Sequence, residues 1–207
     1  APETLKLIDT VNAVPEEVVE GMQEEEDPEE GLVYDEHIWT SPANAILMTQ
    51  AISRKLSELD SANTANYETN TAAHIAELEK LDEAYQDMIG LAKHRTIIVG
   101  DRFPFRYLAD AYGLDYYAAF PGCSAVVEPS AATIAFLIDK VKAEQIPVIF
   151  YIEFSNQKIA NTIAEATGAK TLLLHSAHNV SGEEIDAGVT YLSLMNENLP
   201  RLREALE

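Results

Sequence analysis

Four residues with metal-binding side chains lie just after apolar segments that predict strands: Asp101, Glu153, His175 and His178. A fifth, His37, stands in Asp35-Glu36-His37-Ile38-Trp39, ahead of the first predicted helix. Because the carboxyl ends of parallel strands meet at one edge of a sheet, we expect the four post-strand residues along one rim. Imidazole and carboxylate are ligands that zinc accepts in tetrahedral geometry and that manganese also tolerates. The five residues therefore predict a divalent-metal site.

Each of these side chains also has a purely structural interpretation. His37 follows an acidic run and could be exposed to solvent, and His175 with His178 could cap a strand end. Asp101 could form a local ion pair with Arg102. Glu153 could hold a loop by accepting backbone hydrogen bonds.

Other chemistries have less support in the sequence. A hydrolase using Asp101 and His175 is the competing enzyme, but Ser124 lies in Gly122-Cys123-Ser124-Ala125, which is not a Gly-x-Ser-x-Gly elbow. The phosphate-binding motifs Gly-x-Gly-x-x-Gly and the P-loop are missing, so a nucleotide cofactor is not expected. We interpret Cys123 as a small apolar residue rather than a nucleophile.

Charge and composition argue against several further classes of protein. The 207 residues include 14 Lys and Arg against 35 Asp and Glu, a formal net charge of −21, which argues against nucleic acid as a partner. One Cys excludes a disulfide framework within the chain, and no apolar run reaches the length of a membrane span. Eleven acidic residues fall between Glu16 and Glu36, where self-repulsion predicts a solvated loop that could also collect cations.

Hydrophobic periodicity predicts the helices and strands that carry these residues. Ser41-Pro42 begins a helix that breaks at 60–63, and a longer helical run follows to about residue 93. Apolar strands then alternate with helices, which predicts a four-stranded parallel α/β sheet with flanking helices. The predicted strands are Thr96–Val99, Tyr116–Phe120, Val148–Ile152 and Thr171–Leu174. The predicted helices are Phe103–Tyr112, Pro129–Glu144, Ser155–Thr167 and one from Ser181 to Leu206, and a lone strand is predicted within Leu5–Val11.

Several motifs occur in the order found in one known family. The segment around His37 resembles the Asp-x-His-x-Trp segment of the zinc- and manganese-binding solute-binding lipoproteins of ABC importers. The other matching stretches are Gly100–Leu108 with Tyr112–Leu114, Val127–Ser130 opening a helix, and Ile152–Glu153 ending a strand. An acidic or His-rich loop before the first motif is also typical of zinc-type members.

The resemblance implies a fold and a set of ligands. Such proteins have two α/β lobes joined by a long connecting helix, with the metal between the lobes. It implies that His37 is a ligand, that His175 occupies the place of the last ligand, and that Glu153 is a strand-end residue that is not usually a direct ligand. The remaining family ligand falls on Arg102, which cannot bind a cation, so neighbouring Asp101 is considered as its substitute.

The resemblance also implies a domain layout. Residues 1–40 correspond to the tail of an N-terminal lobe with the acidic loop, 41–93 to the long helical connector, and 94–207 to the C-terminal α/β lobe. We therefore expect either a fragment or a member that has lost a lobe. The unpaired strand of an incomplete lobe would make a homodimer plausible.

The expected function is capture of zinc, with manganese as the alternative, by the solute-binding component of an ABC importer. The loaded protein would deliver the ion to a membrane permease without making or breaking a bond, so an enzyme is not expected. The full-length form would be extracytoplasmic, as a membrane-anchored lipoprotein or a periplasmic protein, although no signal segment is seen here. The alternative is an adhesin-like interaction protein, which the Arg102 departure favours.

Overall fold

A computed structural model describes residues 4–22, 34–122 and 128–207 of the chain. The middle of the acidic run lies outside these residues, as do Cys123 and Ser124. The predicted solvated loop is therefore covered only in part, and the interpretations of Cys123 and Ser124 fall outside the described residues.

The described residues form a four-stranded parallel sheet in the order β2-β1-β3-β4. Its strands are β1 (Thr96–Arg102), β2 (Asp115–Phe120), β3 (Val148–Tyr151) and β4 (Lys170–Leu173). The α/β class and the parallel sheet are confirmed. Strand β1 is longer than predicted, because it continues through a register shift after Val99 and takes in Asp101 and Arg102.

The sheet is covered on both faces, as its apolar strands require. On β1, Ile97 and Val99 point into one core and Ile98 into the other, which is the two-residue period of a strand. The first core also contains side chains of three helices: α2 (Thr64–Gly90), α3 (Arg106–Tyr112) and α7 (Tyr191–Leu206). The second contains side chains of α4 (Ala131–Glu144) and α5 (Lys158–Thr167).

Two helices precede the sheet. Helix α1 (Pro42–Leu59) begins with Pro42 at its first position, and the Ser41 hydroxyl accepts a hydrogen bond from the Asn44 N–H at 3.3 Å. A 3-10 turn over Ser61–Asn63 separates it from α2, as the break in periodicity predicts. Helix α1 packs on α2, and α2 packs in turn on α7. Within the described residues, no helix is long and apolar enough to cross a membrane.

Two predicted elements differ from the structure. The predicted N-terminal strand is wrong: Leu7–Thr10 is a 3-10 helix, so the strand edge on which the homodimer expectation rested is not present in the described chain. The last helix is divided into α6 (Gly182–Asp186) and α7, because Gly188 takes a left-handed φ of 74° and Thr190 caps a new helix.

Three helices also begin later than predicted. Helix α3 starts after Pro104, helix α4 starts at Ala131 with Ser130 as its N-cap, and helix α5 starts at Lys158 after Gln157 in the left-handed region.

Candidate metal centre

His37 lies in a short ordered turn immediately before α1. Its backbone N–H donates to Asp35 Oδ1 at 2.8 Å, and its ring Nδ1 lies 3.1 Å from the same oxygen. A carboxylate oxygen accepts hydrogen bonds, so Nδ1 carries the proton and Nε2 presents its lone pair. Both side chains are buried. Carboxylate-oriented imidazole is the usual state of a histidine that ligates metal.

Asp35 is itself held in place by α3. The Tyr107 hydroxyl donates to the Asp35 carbonyl at 2.9 Å and accepts from the Val14 N–H at 3.2 Å. The Asp35 N–H donates to the Val14 carbonyl at 3.1 Å. The segment before α1 is thus fixed to α3 and to the Val14 segment, which positions the His37 ring.

Glu153 follows β3 and organises the loop after β4. Its Oε2 accepts from the Ser176 N–H at 2.9 Å, and its Oε1 accepts a short hydrogen bond from the Ser176 hydroxyl. The N–H groups of His178 and Asn179 approach Oε1 at 3.3 and 3.4 Å. The structural interpretation of Glu153, a carboxylate that holds a loop, therefore describes its contacts.

These contacts also set the charge state of Glu153. Burial is the largest single influence and by itself raises the pKa of the carboxyl, but it is outweighed by the hydrogen bonds from the Ser176 hydroxyl and N–H together with the Glu153 backbone N–H and the nearby His175 ring. The pKa of Glu153 is consequently lower than its usual value, and the ionised form is favoured.

The loop held by Glu153 brings His178 to His37. Their ring centres are 5.5 Å apart, and the ring of Trp39 lies 5.4 Å from that of His37 and 5.6 Å from that of His178. The Trp39 indole N–H donates to the Ser176 carbonyl at 2.9 Å, which ties the two segments together. The Tyr191 hydroxyl donates to the Trp39 carbonyl at 2.7 Å, which joins α7 to the segment that carries His37.

A cleft of about 390 Å³ opens beside the two imidazoles, and we call it the His37 cleft. Gly122 forms part of its wall, where a Cβ atom would come within 3.2 Å of both Asp35 Oδ2 and His37 Cε1. The absence of a side chain at Gly122 therefore lets the wall approach the Asp35–His37 pair closely. The lining residues are Glu36, His37, Arg102, Pro104, Gly122, Ile152, Glu153, Ser176, His178 and Asn179.

His175 is not among the residues that line the His37 cleft and lines a neighbouring cavity instead, with its Nδ1 3.7 Å from Oε2 of Glu153, which lines both. Its N–H and carbonyl are both bound by the side chain of Asn198, at 2.9 and 2.8 Å. Its Nδ1 accepts from the Ala177 N–H at 2.9 Å, so the proton of the neutral ring is on Nε2. The buried Nε2 has no hydrogen-bond partner among the described residues, and Glu184 Oε1 lies 3.8 Å away. Neither ring nitrogen presents a lone pair to the His37 cleft.

Asp101 and Arg102 occupy the end of β1. Asp101 Oδ1 accepts from the Arg102 N–H at 2.8 Å, and Asp101 is not among the residues lining the His37 cleft. Arg102 does line it, with its guanidinium 5.9 Å from the centre of the Phe120 ring.

The structure thus brings together His37, His178 and Glu153 of the five predicted residues, and leaves Asp101 and His175 outside. In the three described ranges, no group of three or more His, Cys, Asp or Glu is arranged to hold a metal ion.

Three residues that build the site received no role of their own from the sequence. Asp35 was recognised only as part of a motif, although a carboxylate two residues before a histidine is well placed to orient its ring. Trp39 gave a visible signal, being the single tryptophan of the chain. Asn198 gave none, because its role depends on the packing of α7 beneath the loop that carries His175.

Comparison with known proteins identifies the family. A family described as "Zinc-uptake complex component A periplasmic" matches residues 2–205. The chain belongs to this family. The chain is similar to the zinc-binding lipoprotein AdcA of Streptococcus pneumoniae, with 35% identity over 174 residues, which are 84% of this chain and 34% of that protein. The high-affinity zinc uptake system protein ZnuA of Bacillus subtilis is 35% identical over 172 residues, 83% of this chain and 53% of that protein.

A solved structure of the family shows the same fold. The Zn(II)-bound ZnuA-like domain of Streptococcus pneumoniae AdcA superposes with a TM-score of 0.72 at 35% identity, over 84% of this chain and 64% of that domain. The chain thus spans between a third and about half of the length of the two curated relatives. The resemblance seen in the motifs is confirmed as membership.

Proposed function

We propose that this chain binds zinc as part of the solute-binding component of a zinc ABC importer, with His37 and His178 as its ligands. The observation that carries the proposal is the meeting of these two imidazoles in one cleft, with the His37 ring oriented by Asp35. The family's description and the zinc-binding names of the relatives support the choice of metal.

The separation of the two rings is compatible with one ion between them. With Zn–N bonds of about 2.0–2.1 Å and a tetrahedral angle, two imidazoles on one zinc have ring centres about 5 Å apart. The separation of 5.5 Å between His37 and His178 is close to this value. Manganese prefers a larger, oxygen-rich shell, so an imidazole pair favours zinc over manganese.

The proposed activity is capture and delivery rather than catalysis. The imidazoles displace water from the ion, and the loaded protein passes it to a membrane permease without bond chemistry. An extracytoplasmic location follows from the same role, since the family is described as periplasmic and the pneumococcal relative as a lipoprotein. The adhesin-like alternative is not favoured, because the Asp35–His37–His178 arrangement suits a metal and both relatives are named for zinc.

Calorimetric zinc titration of the whole chain tests the proposal. We expect one-to-one binding that is lost, or weakened by at least tenfold, in His37→Ala and in His178→Ala. His175→Ala separates this assignment from the one implied by the resemblance, and we expect it to keep the zinc titration. His74→Ala is the matched control, because His74 is exposed on α2 away from the cleft.

Two results would contradict the proposal. Unchanged zinc binding in both His37→Ala and His178→Ala would remove these residues from the site. Loss of binding in His175→Ala with retention in His178→Ala, with both variants folded by circular dichroism, would return the ligand role to His175.

A further inference from the structure

Trp39 lies two residues after His37, in the 3-10 turn Ile38–Thr40 that precedes α1. The His37 carbonyl accepts a hydrogen bond from the Thr40 N–H at 3.1 Å and another from the Thr40 hydroxyl at 2.8 Å. The Trp39 carbonyl accepts from the Tyr191 hydroxyl at 2.7 Å. These bonds fix the backbone around Trp39, and its ring lies 5.4 Å from the His37 ring in a tilted contact.

The same indole ring reaches the loop that carries His178. The two ring centres are 5.6 Å apart, with the ring planes at 76°, and the indole N–H donates to the Ser176 carbonyl at 2.9 Å. Ser176 is only 1% exposed, so water cannot readily replace this donor. Trp39 therefore contacts both imidazoles and also holds the backbone two residues before the second one.

The turn between Ser176 and His178 depends on support from outside the loop. Ala177 has a positive φ of 57°, a left-handed conformation that is strained for a residue with a Cβ atom. The surrounding contacts maintain it: Glu153 binds the N–H and hydroxyl of Ser176, and Trp39 binds its carbonyl. Without the indole N–H the buried carbonyl is unpaired, which favours a relaxed turn that directs His178 elsewhere.

We propose that Trp39 is a positioning residue for metal capture, which holds the His178 ring beside the His37 ring before an ion arrives. It does not ligate the ion, because an indole N–H is a donor only. It acts by reducing the ordering that binding would otherwise require, which strengthens binding without any contact to the metal. The inference rests on the zinc function proposed above and adds a residue on which the zinc affinity depends.

Calorimetric zinc titration of Trp39→Phe tests the inference. Phenylalanine keeps an aromatic ring next to His37 but has no N–H for the Ser176 carbonyl. We expect the Kd for zinc to rise about tenfold, since a hydrogen bond lost with its buried acceptor left unpaired is of this strength. Tyr67→Phe is the matched control, because it removes the hydrogen bond of 2.9 Å from an aromatic side chain to Asp60 and Tyr67 does not line the cleft. We expect the control to change the Kd by less than about twofold.

Nuclear Overhauser contacts between the His37 and His178 rings in the metal-free protein give a second readout. A purely structural role of Trp39 would lower the urea midpoint but leave these contacts in the folded protein. Positioning by Trp39 predicts that they are present in the native chain, retained in Tyr67→Phe and lost in Trp39→Phe, with all three proteins folded by circular dichroism.

The results separate the inference from the function on which it rests. Zinc binding by the native chain that is unchanged in Trp39→Phe would overturn the inference and leave the zinc function intact. A raised Kd in Trp39→Phe with the ring contacts retained would overturn positioning as the cause. Absence of zinc binding in the native chain would overturn the proposed function, and the inference with it.

Discussion

Glu153→Gln is expected to loosen the loop that carries His178. In the native protein the carboxylate accepts a hydrogen bond of 2.9 Å from the Ser176 N–H and a short one from the Ser176 hydroxyl. Each such bond to a charged group contributes about 1.5–3 kcal/mol. The contacts from His178 and Asn179, at 3.3 and 3.4 Å, are longer and contribute less.

The amide introduced by Glu153→Gln would retain one acceptor oxygen and would turn its NH₂ group toward an N–H donor. We therefore expect the free energy of unfolding to fall by about 2–4 kcal/mol, the loss of one strong bond plus an unsatisfied donor. In urea this lowers the midpoint by about 1 M. The fluorescence of Trp39 reports the loop directly, because its indole donates to the Ser176 carbonyl and it is the single tryptophan.

The stability lost in Glu153→Gln is expected to become smaller as the pH falls. Because the pKa of Glu153 lies below its usual value of 4.5 in the folded protein, its contribution is complete above about pH 4.5. The contribution is lost as the pH falls through the lowered native pKa. The difference between the native chain and Glu153→Gln is thus expected to shrink between pH 7 and pH 3.

Glu128→Gln serves as the control, since Glu128 is exposed and its ion pair with Lys158, at 3.2 Å, is also exposed. It is expected to change stability by less than about 0.5 kcal/mol. A Glu153→Gln midpoint equal to that of the control, or a difference that does not shrink in acid, would refute the role given to this carboxylate.

Two further substitutions test other parts of the site. Asp35→Asn keeps the shape of the side chain but weakens the orientation of His37, and we expect zinc affinity to fall about 10–100-fold by calorimetry; an unchanged affinity would contradict that role. Asn198→Ala removes both partners of the His175 backbone and leaves two buried polar groups unpaired, so we expect a loss of about 2–5 kcal/mol in urea denaturation; a loss below about 1 kcal/mol would show that the groups find other partners.

The α/β half of the fold could be predicted because its signals are local. The middle of strand β1 is buried, from Ile97 to Gly100, and Gly113 and Gly168 end α3 and α5 in the left-handed conformation that glycine accepts most easily. The break between α6 and α7 also had a local signal that was missed, namely Gly188 followed by the capping pair of Thr190 and Ser193. The strand predicted within Leu5–Val11 was wrong because a strand requires a partner strand, which no local sequence pattern can supply.

The choice between His175 and His178 could not be made from the sequence. The two residues are three positions apart in one loop, and which of them faces His37 depends on long-range contacts. Ala177 between them takes a positive φ of 57°, and Glu153 binds one side of the turn while Asn198 binds the other. Strand-end position predicted that both histidines lie at one rim of the sheet but carried no information about the direction of either ring.

The hydrogen bond from Trp39 to Ser176 has a consequence for how the protein is made. It joins groups 137 residues apart in the chain, and the bond from Tyr191 to Trp39 spans 152 residues. Bringing together groups so far apart in the chain is among the later events of folding, because chain entropy opposes it until the intervening elements have formed.

During synthesis, His37 emerges long before His178, so an emerging chain cannot offer both imidazoles to an ion. Zinc at about 100 times its dissociation constant would stabilise only the completed fold, by about 2.7 kcal/mol. The proposed metal binding would therefore be a property of the finished tertiary structure, and it would serve as a check that the chain is fully assembled.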